Sequence, residues 1–263
     1  MGKKAVSGIM LTLLLTILVL ISFTSLSRSQ PPDGDWIVTG VEVVENKTIE
    51  LSGNLTVKSG GSLTLRNVTL GLNVERNGQY GISVEEGGSL FIYNSNISSA
   101  TAFRFFFSVV HGRFVMKDSE LRGAGWATQP FGVTFGERGL YIQADDTLID
   151  GNLISNGRGV VLNGSDNWVI NNRFMNTQQG IFIHNPGGGG PKHNLIVNNT
   201  IHTKENGIWI IRSGDNVIAN NVIFECINGI RMTGAWNNTI TSNLLIGGYS
   251  CIEIEGSHNN TIA

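Results

Sequence analysis

Between Asp145 and Ala263 the apolar and polar positions follow one phrase, written about five times: Asn-x-apolar-x-Asn-Asn-x-apolar, a few small polar residues, then Gly-apolar-x-apolar. It reads Asn167-Trp-Val-Ile-Asn-Asn-Arg-Phe174 followed by Gly180-Ile-Phe-Ile183. It returns as Asn194 to Ile201 with Gly207 to Ile210, as Asn216 to Ile223 with Gly229 to Met232, and as Asn238 to Leu245 with Cys251 to Ile254. A looser first copy runs from Asp146 to Leu153 with Gly159 to Leu162. Equivalent positions are 21, 27, 22 and 22 residues apart, a spacing that marks a solenoid.

Laid over one another, the copies form four apolar columns. These are Val160/Ile181/Ile208/Ile230/Ile252, Leu162/Ile183/Ile210/Met232/Ile254, Leu148/Val169/Ile196/Ile218/Ile240 and Leu153/Phe174/Ile201/Ile223/Leu245. Period-two spacing with β-branched residues predicts short strands that turn one face inward. No segment between them is long or apolar enough for a helix. The pattern predicts an all-β parallel coil of about nine or ten rungs, spaced ~4.8 Å. Leucine-rich repeats would need Leu and room for a helix; propeller blades need ~40 residues.

The corners carry two further columns. Asn172, Asn199, Asn221 and Asn243 suit a left-handed backbone and an amide bond to the next rung. Gly159, Gly180, Gly207 and Gly229 suit a positive-φ turn. Cys251 interrupts the glycine column after Gly247-Gly248, which predicts a distorted rung there.

This phrase resembles the repeat of NosD-like right-handed parallel β-helix proteins, members of the pectate-lyase-type superfold. The resemblance covers about 120 residues. It implies a single-stranded right-handed parallel β-helix, and it leaves activity open, because that fold serves lyases, hydrolases, epimerases, binding proteins and copper-delivery proteins.

The first half is a looser version. Gly60 to Leu70 recurs as Gly87 to Ile97 and again as Gly112 to Leu121, aligning Leu63/Leu90/Phe114 and Leu65/Ile92/Met116. The organisation expected is one domain over 36–263, irregular over 36–143 and regular over 144–263. Trp36 to Glu50 is expected as an atypical capping coil. Phe103 to Phe107 and Ala124 to Gly136 are expected as rung extensions able to wall a groove, and His184 to His193 as a protruding Gly-rich loop. Before this, Lys3-Lys4, the apolar run Ile9 to Phe23 and Ser25-Leu-Ser27 read as an export signal or an uncleaved membrane anchor over 1–28. Residues 29–35 read as a linker. The chain stops at Asn260-Thr-Ile-Ala263, the opening of another rung. This predicts an open C-terminal end, a reading frame longer than this one, or end-to-end self-association there.

Composition narrows function little. With 263 residues, 41% apolar, 14% charged and 34 glycines, the chain can bury a core and favours turn-rich β structure. A formal charge of −2 leaves no basic footprint for nucleic acid.

Three sets of candidate residues stand out. The outward column Val161, Phe182, Trp209, Arg231 and Glu253 alternates with core positions. Its aromatics suit a sugar ring and its charges suit sugar hydroxyls, so Phe182, Trp209, Arg231 and Glu253 form a candidate glycan site; the same column also suits a purely structural ladder. Tyr141 and Trp168 are assigned to other columns. The second set is carboxylate: Asp145, Asp146, Asp150, Asp166 and Asp215 can hold Ca²⁺ or act in pairs. Asp145, Asp166 and Asp215 share a corner column with His193, which also suits backbone capping. No Gly-His-Gly, Arg-Ile-Lys or Asp-Pro-His-Glu motif is present, so no catalytic residue is assigned. The third set follows from the family resemblance, which implies copper. His184, His193 and His202, with Met175 nearby, are the candidate metal ligands.

Cys226 and Cys251 are expected as free thiols, their offset being too long for a disulfide. Of eight Asn-x-Ser/Thr sequons, Asn46 and Asn163 are the expected exposed glycosylation acceptors. The reading that follows is an exported, extracytoplasmic β-helix, non-catalytic, that binds polysaccharide or glycoprotein glycans or serves as an envelope or adhesion element. A polysaccharide lyase, hydrolase or epimerase and a copper-handling protein are the alternatives.

Overall fold

The computed structural model describes residues 33–126, 139–184 and 189–263. The expected leader over 1–28, most of the linker, and parts of the two insertions lie outside the described residues. The described chain contains strands and no helix, gathered into three parallel sheets of ten, ten and nine strands. Sheet I begins with Trp36–Val38, sheet II with Val41–Glu45 and sheet III with Thr48–Leu51. Each turn of the chain adds one strand to each sheet, so neighbours within a sheet are always one coil apart in sequence.

Inward residues form one continuous core from Trp36 to Ile240. Two of the four expected columns hold throughout: Val160 pairs with Ile181, Ile181 with Ile208, Ile208 with Ile230 and Ile230 with Ile252. The other two are corrected at their first member. Ile149, not Leu148, lies opposite Val169, and Ile154, not Leu153, lies opposite Phe174. The first copy is one residue shorter at this point, with Thr147 standing 20 residues before Asn167. In a strand, a slip of one residue exchanges the inward and outward faces.

The corners also differ from expectation. One left-handed residue per rung marks the turn from sheet II to sheet III along the whole solenoid: Asn46, Asn67, Asn94, Asp118, Gly151, Asn171, Asn198, Asn220 and Ser242. In the Asn-Asn pairs it is the first Asn that takes positive φ. The second Asn turns its amide inward. Asn199 Oδ1 accepts from Asn172 N at 2.9 Å and Asn172 Nδ2 at 3.1 Å, while Asn199 Nδ2 donates to Val169 O at 2.8 Å and Asn221 Oδ1 at 3.0 Å. All four hydrogen-bonding sites of the amide are used. A second buried ladder, which the sequence pattern did not signal as such, runs through Asn167, Asn194, Asn216, Asn238 and Asn260.

The glycine column is corrected as well. Only Gly159 has positive φ. Gly180 and Gly207 are required for close approach instead: a Cβ on Gly207 would strike the Ile223 side chain and the Gly229 carbonyl. Cys251 does not distort its rung, because Asn228–Thr233 and Ser250–Glu255 pair in continuous register. The first coil is likewise a regular rung, in register with the next on all three sheets. The run around Phe105 is not an extension. Phe106–Val110 is the sheet I strand of its rung, with Phe105 and Phe107 buried.

Candidate functional site

The outward face of sheet I carries the most chemistry. Its central column is Tyr141, Val161, Phe182, Trp209, Arg231 and Glu253, each in register with the next. Tyr141 therefore belongs to the candidate column, whereas Trp168 stands on sheet II between Leu148 and Leu195. Two residues further along each strand lies a parallel outward set: Gln143, Asn163, His184, Ile211, Thr233 and Glu255. At ~4.8 Å per rung the strip is about 24 Å long.

Its side chains are linked to each other. Asn163 Nδ2 donates to Tyr141 Oη at 2.8 Å, and Tyr141 Oη donates to Gln143 Oε1 at 3.2 Å. The Phe182 ring stacks on His184, centroids 5.3 Å apart, and on Trp209 at 5.0 Å. The Arg231 guanidinium lies over the other side of Trp209 at 5.1 Å and pairs with Glu253 at 3.4 Å and Glu255 at 3.7 Å. Trp209 Nε1 donates to Thr233 Oγ1 at 3.4 Å.

This geometry corrects the expected exposure. Val161 and Phe182 point outward yet are 2% and 1% exposed. Trp209 lies between Phe182 and Arg231, so a ligand meets its edge rather than its face. Two nitrogens on the strip, His184 Nδ1 and Arg231 Nε, are buried without a hydrogen-bond partner. Burial, with the Arg212 charge beside it, holds the His184 pKa below its ordinary value, so its ring is neutral at pH 7.

The carboxylates do not gather. Asp146, rather than Asp145, shares the corner with Asp166, His193 and Asp215, all at positive φ. Asp145 accepts the Ser165 N–H at 2.7 Å, Asp166 pairs with His193 at 3.4 Å, and Asp215 with Lys192 at 3.3 Å. Asp150 lies at the other corner. Burial would raise its pKa, but hydrogen bonds from Asn171 and Lys117 outweigh burial and hold it below the ordinary carboxylate value.

The three histidines are likewise apart. His184 ends a sheet I strand, His193 sits at a corner, and His202 lies on sheet III, in register with Met175 and stacked on Phe224 at 5.2 Å. His202 Nε2 is 3.2 Å from Glu225. No group of three or more His, Cys, Asp or Glu converges among the described residues.

Cys226 is buried and Cys251 exposed, both free thiols, with burial pushing the Cys226 pKa up. Asn46 is exposed, its Oδ1 accepting from Asn67 at 2.7 Å. Asn163 is half-buried with its amide engaged, so it is not the exposed acceptor expected.

Family comparison agrees with this architecture. Residues 132–263 match the model described as "Periplasmic copper-binding protein (NosD)", and residues 35–190 match "Right handed beta helix region". No curated protein matches the sequence significantly. Among solved structures, the mannuronan C-5 epimerase AlgE6 A-module of Azotobacter vinelandii is similar at 12% identity and a TM-score of 0.42, over 84% of this chain and 71% of that one. The periplasmic alginate epimerase AlgG is similar at 12% identity and 0.37, over 87% and 73%.

Proposed function

The chain belongs to the NosD family of right-handed β-helix proteins, and from that premise we propose that it is an extracytoplasmic, non-catalytic solenoid that binds an extended glycan along the outer face of sheet I. The observation that carries this is the strip from Tyr141 to Glu255. Its hydroxyls, amides, indole edge and charges lie in a straight row parallel to the axis.

Support for location comes from the word periplasmic in the family description and from the Lys3-Lys4, Ile9–Phe23 and Ser25–Ser27 pattern. Among the described residues no helix is long and apolar enough to cross a membrane. Copper, which the family description names, finds no convergent donor set in the described chain. The two alternatives are separated from binding by experiment: turnover of a bound polysaccharide by assays on uronic-acid and neutral polymers with and without Ca²⁺, and copper handling by metal analysis of the purified protein.

A glycan array read with wild type, Trp209→Ala and Trp168→Ala tests the proposal. Loss of signal in Trp209→Ala and retention in Trp168→Ala are expected, with each variant read well below its own melting transition as the fold control. Equal signals from all three proteins would remove the strip from consideration.

A further inference from the structure

Sheet II turns a different surface outward. Its middle outward column is Phe91, Val115, Leu148, Trp168, Leu195 and Val217, each in register with the next. Two residues further along the last three of these strands, Ile170, Val197 and Ala219 widen the apolar surface. Trp168 is 53% exposed. A continuous outward apolar column of this length marks contact with another molecule, where scattered single side chains would not.

Charges on two neighbouring rungs show what fits there. Arg113 and Lys117 stand two residues to either side of Val115. On the next rung, Asp146 and Asp150 stand two residues to either side of Leu148, which is in register with Val115. One rung therefore presents cation, apolar, cation, and the next presents anion, apolar, anion. A two-fold axis along the strand direction between these rungs lays the first rung of one copy on the second rung of the other, and does so twice. Arg113 then meets the second copy's Asp146, and Lys117 meets the second copy's Asp150. The same operation brings Phe91 against the second copy's Trp168 and Tyr93 against its Ile170. Each residue contacts a different residue of the same chain, as a closed symmetric contact requires. The other charges lie towards the rim and are paired within their own chain: Glu45 with Arg66, Asp166 with His193, and Asp215 with Lys192.

Eight rungs overlap in this arrangement. At ~4.8 Å per rung and ~3.3 Å per residue the shared face is about 38 Å by 15 Å, or roughly 1,100 Å² over both copies, the lower end of what a specific contact buries. Both copies carry the same rung spacing, so every rung of one meets a rung of the other.

We propose that the outer face of sheet II joins two copies of this chain about a two-fold axis between the Val115 and Leu148 rungs. The contact is independent of the glycan-binding reading, which concerns sheet I. Sedimentation velocity of the full chain at ~50 µM, where a micromolar dimer is populated, tests it. Wild type should sediment as two chains of 28.4 kDa each. Arg113→Glu alone and Asp146→Arg alone should each weaken the dimer by at least about tenfold, because each sets like charges opposite one another at two places. An equimolar mixture of the two variants should recover the dimer. The introduced carboxylate of one copy then faces the introduced guanidinium of the other, and the second contact keeps its native pair. Pairing within one chain cannot produce that recovery, and thermal melting of each variant is the fold control. Single wild-type chains overturn the proposal. So does association that ignores both variants, or a mixture of folded variants that stays as single chains.

Discussion

The two halves of the solenoid solve the same turn with different side chains. In the first half the inward corner position next to sheet III is Val68, Ser95 and Ser119. Ser95 Oγ accepts one bond from the rung below, Val68 N at 3.0 Å, and spends its own proton on Tyr93 O in its own rung at 2.7 Å. In the second half the position is Asn152, Asn172, Asn199, Asn221 and Asn243, and each fully stacked amide reaches both the rung below and the rung above. A hydroxyl has one proton and therefore one direction to donate in. An amide has two donors and a two-lone-pair acceptor at opposite ends, and links three rungs. Regular sequence in the second half thus follows from a side chain that works only if its neighbours are the same. In the second ladder, which runs through Asn167 and Asn194, the mismatch at the end is visible: Thr147 receives no amide proton, and Asn167 Nδ2 is left without a partner.

This contrast can be broken most severely at Asn199. Asn199→Ala strands Asn172 N and removes one bond each from Asn172 Nδ2, Val169 O and Asn221 Oδ1, and should cost about 3 kcal/mol, whereas Ser95→Ala should cost about 1 kcal/mol. Denaturation midpoints of the two variants compare them directly, and equal shifts would refute the difference between the halves. Next come the glycines. Gly207→Ala forces a methyl between Ile223 and Gly229, about 1–3 kcal/mol of overpacking. Gly60, at φ 76° with open space around it, should cost only about 1–2 kcal/mol for its left-handed backbone.

Acid should act in two windows. His184 has its folded pKa below 6.5, so the neutral ring favours the fold above that value and stability falls as pH drops from 6.5 through the folded pKa. Asp150 has its folded pKa below 3.8, so its contribution is complete above that value and is lost only as pH falls further. A melting-temperature profile against pH should show both, and His184→Gln should flatten the upper window alone. The smallest effect belongs to the exposed pair Glu45–Arg66, 3.7 Å apart, where Glu45→Ala should change stability by less than about 0.5 kcal/mol.

Much of the fold was legible because a parallel coil writes its contacts as a period. Ile181, Ile208 and Ile230 lie in one line because equal coil lengths carry equal positions to the same place. Leu148 and Leu153 were misassigned where one coil is shorter by a residue, a change too small to disturb the phrase but enough to exchange faces. The candidate site was half legible. Alternation places Phe182, Trp209, Arg231 and Glu253 on one outward column, and the same i+2 spacing adds Asn163, His184 and Thr233 beside it. Tyr141 was missed because its rung follows an insertion that breaks the period.

The sequence by itself determined the coil, its sheets and the alternation of inward and outward residues, since these depend only on spacing along the chain. Tertiary structure alone decided that Phe182 is buried, that both faces of Trp209 are occupied, that Gly207 serves close approach rather than a left-handed turn, and that the three histidines stand apart. Each of those depends on which atoms of neighbouring coils and corners approach one another across space, and one-dimensional spacing carries no record of that distance.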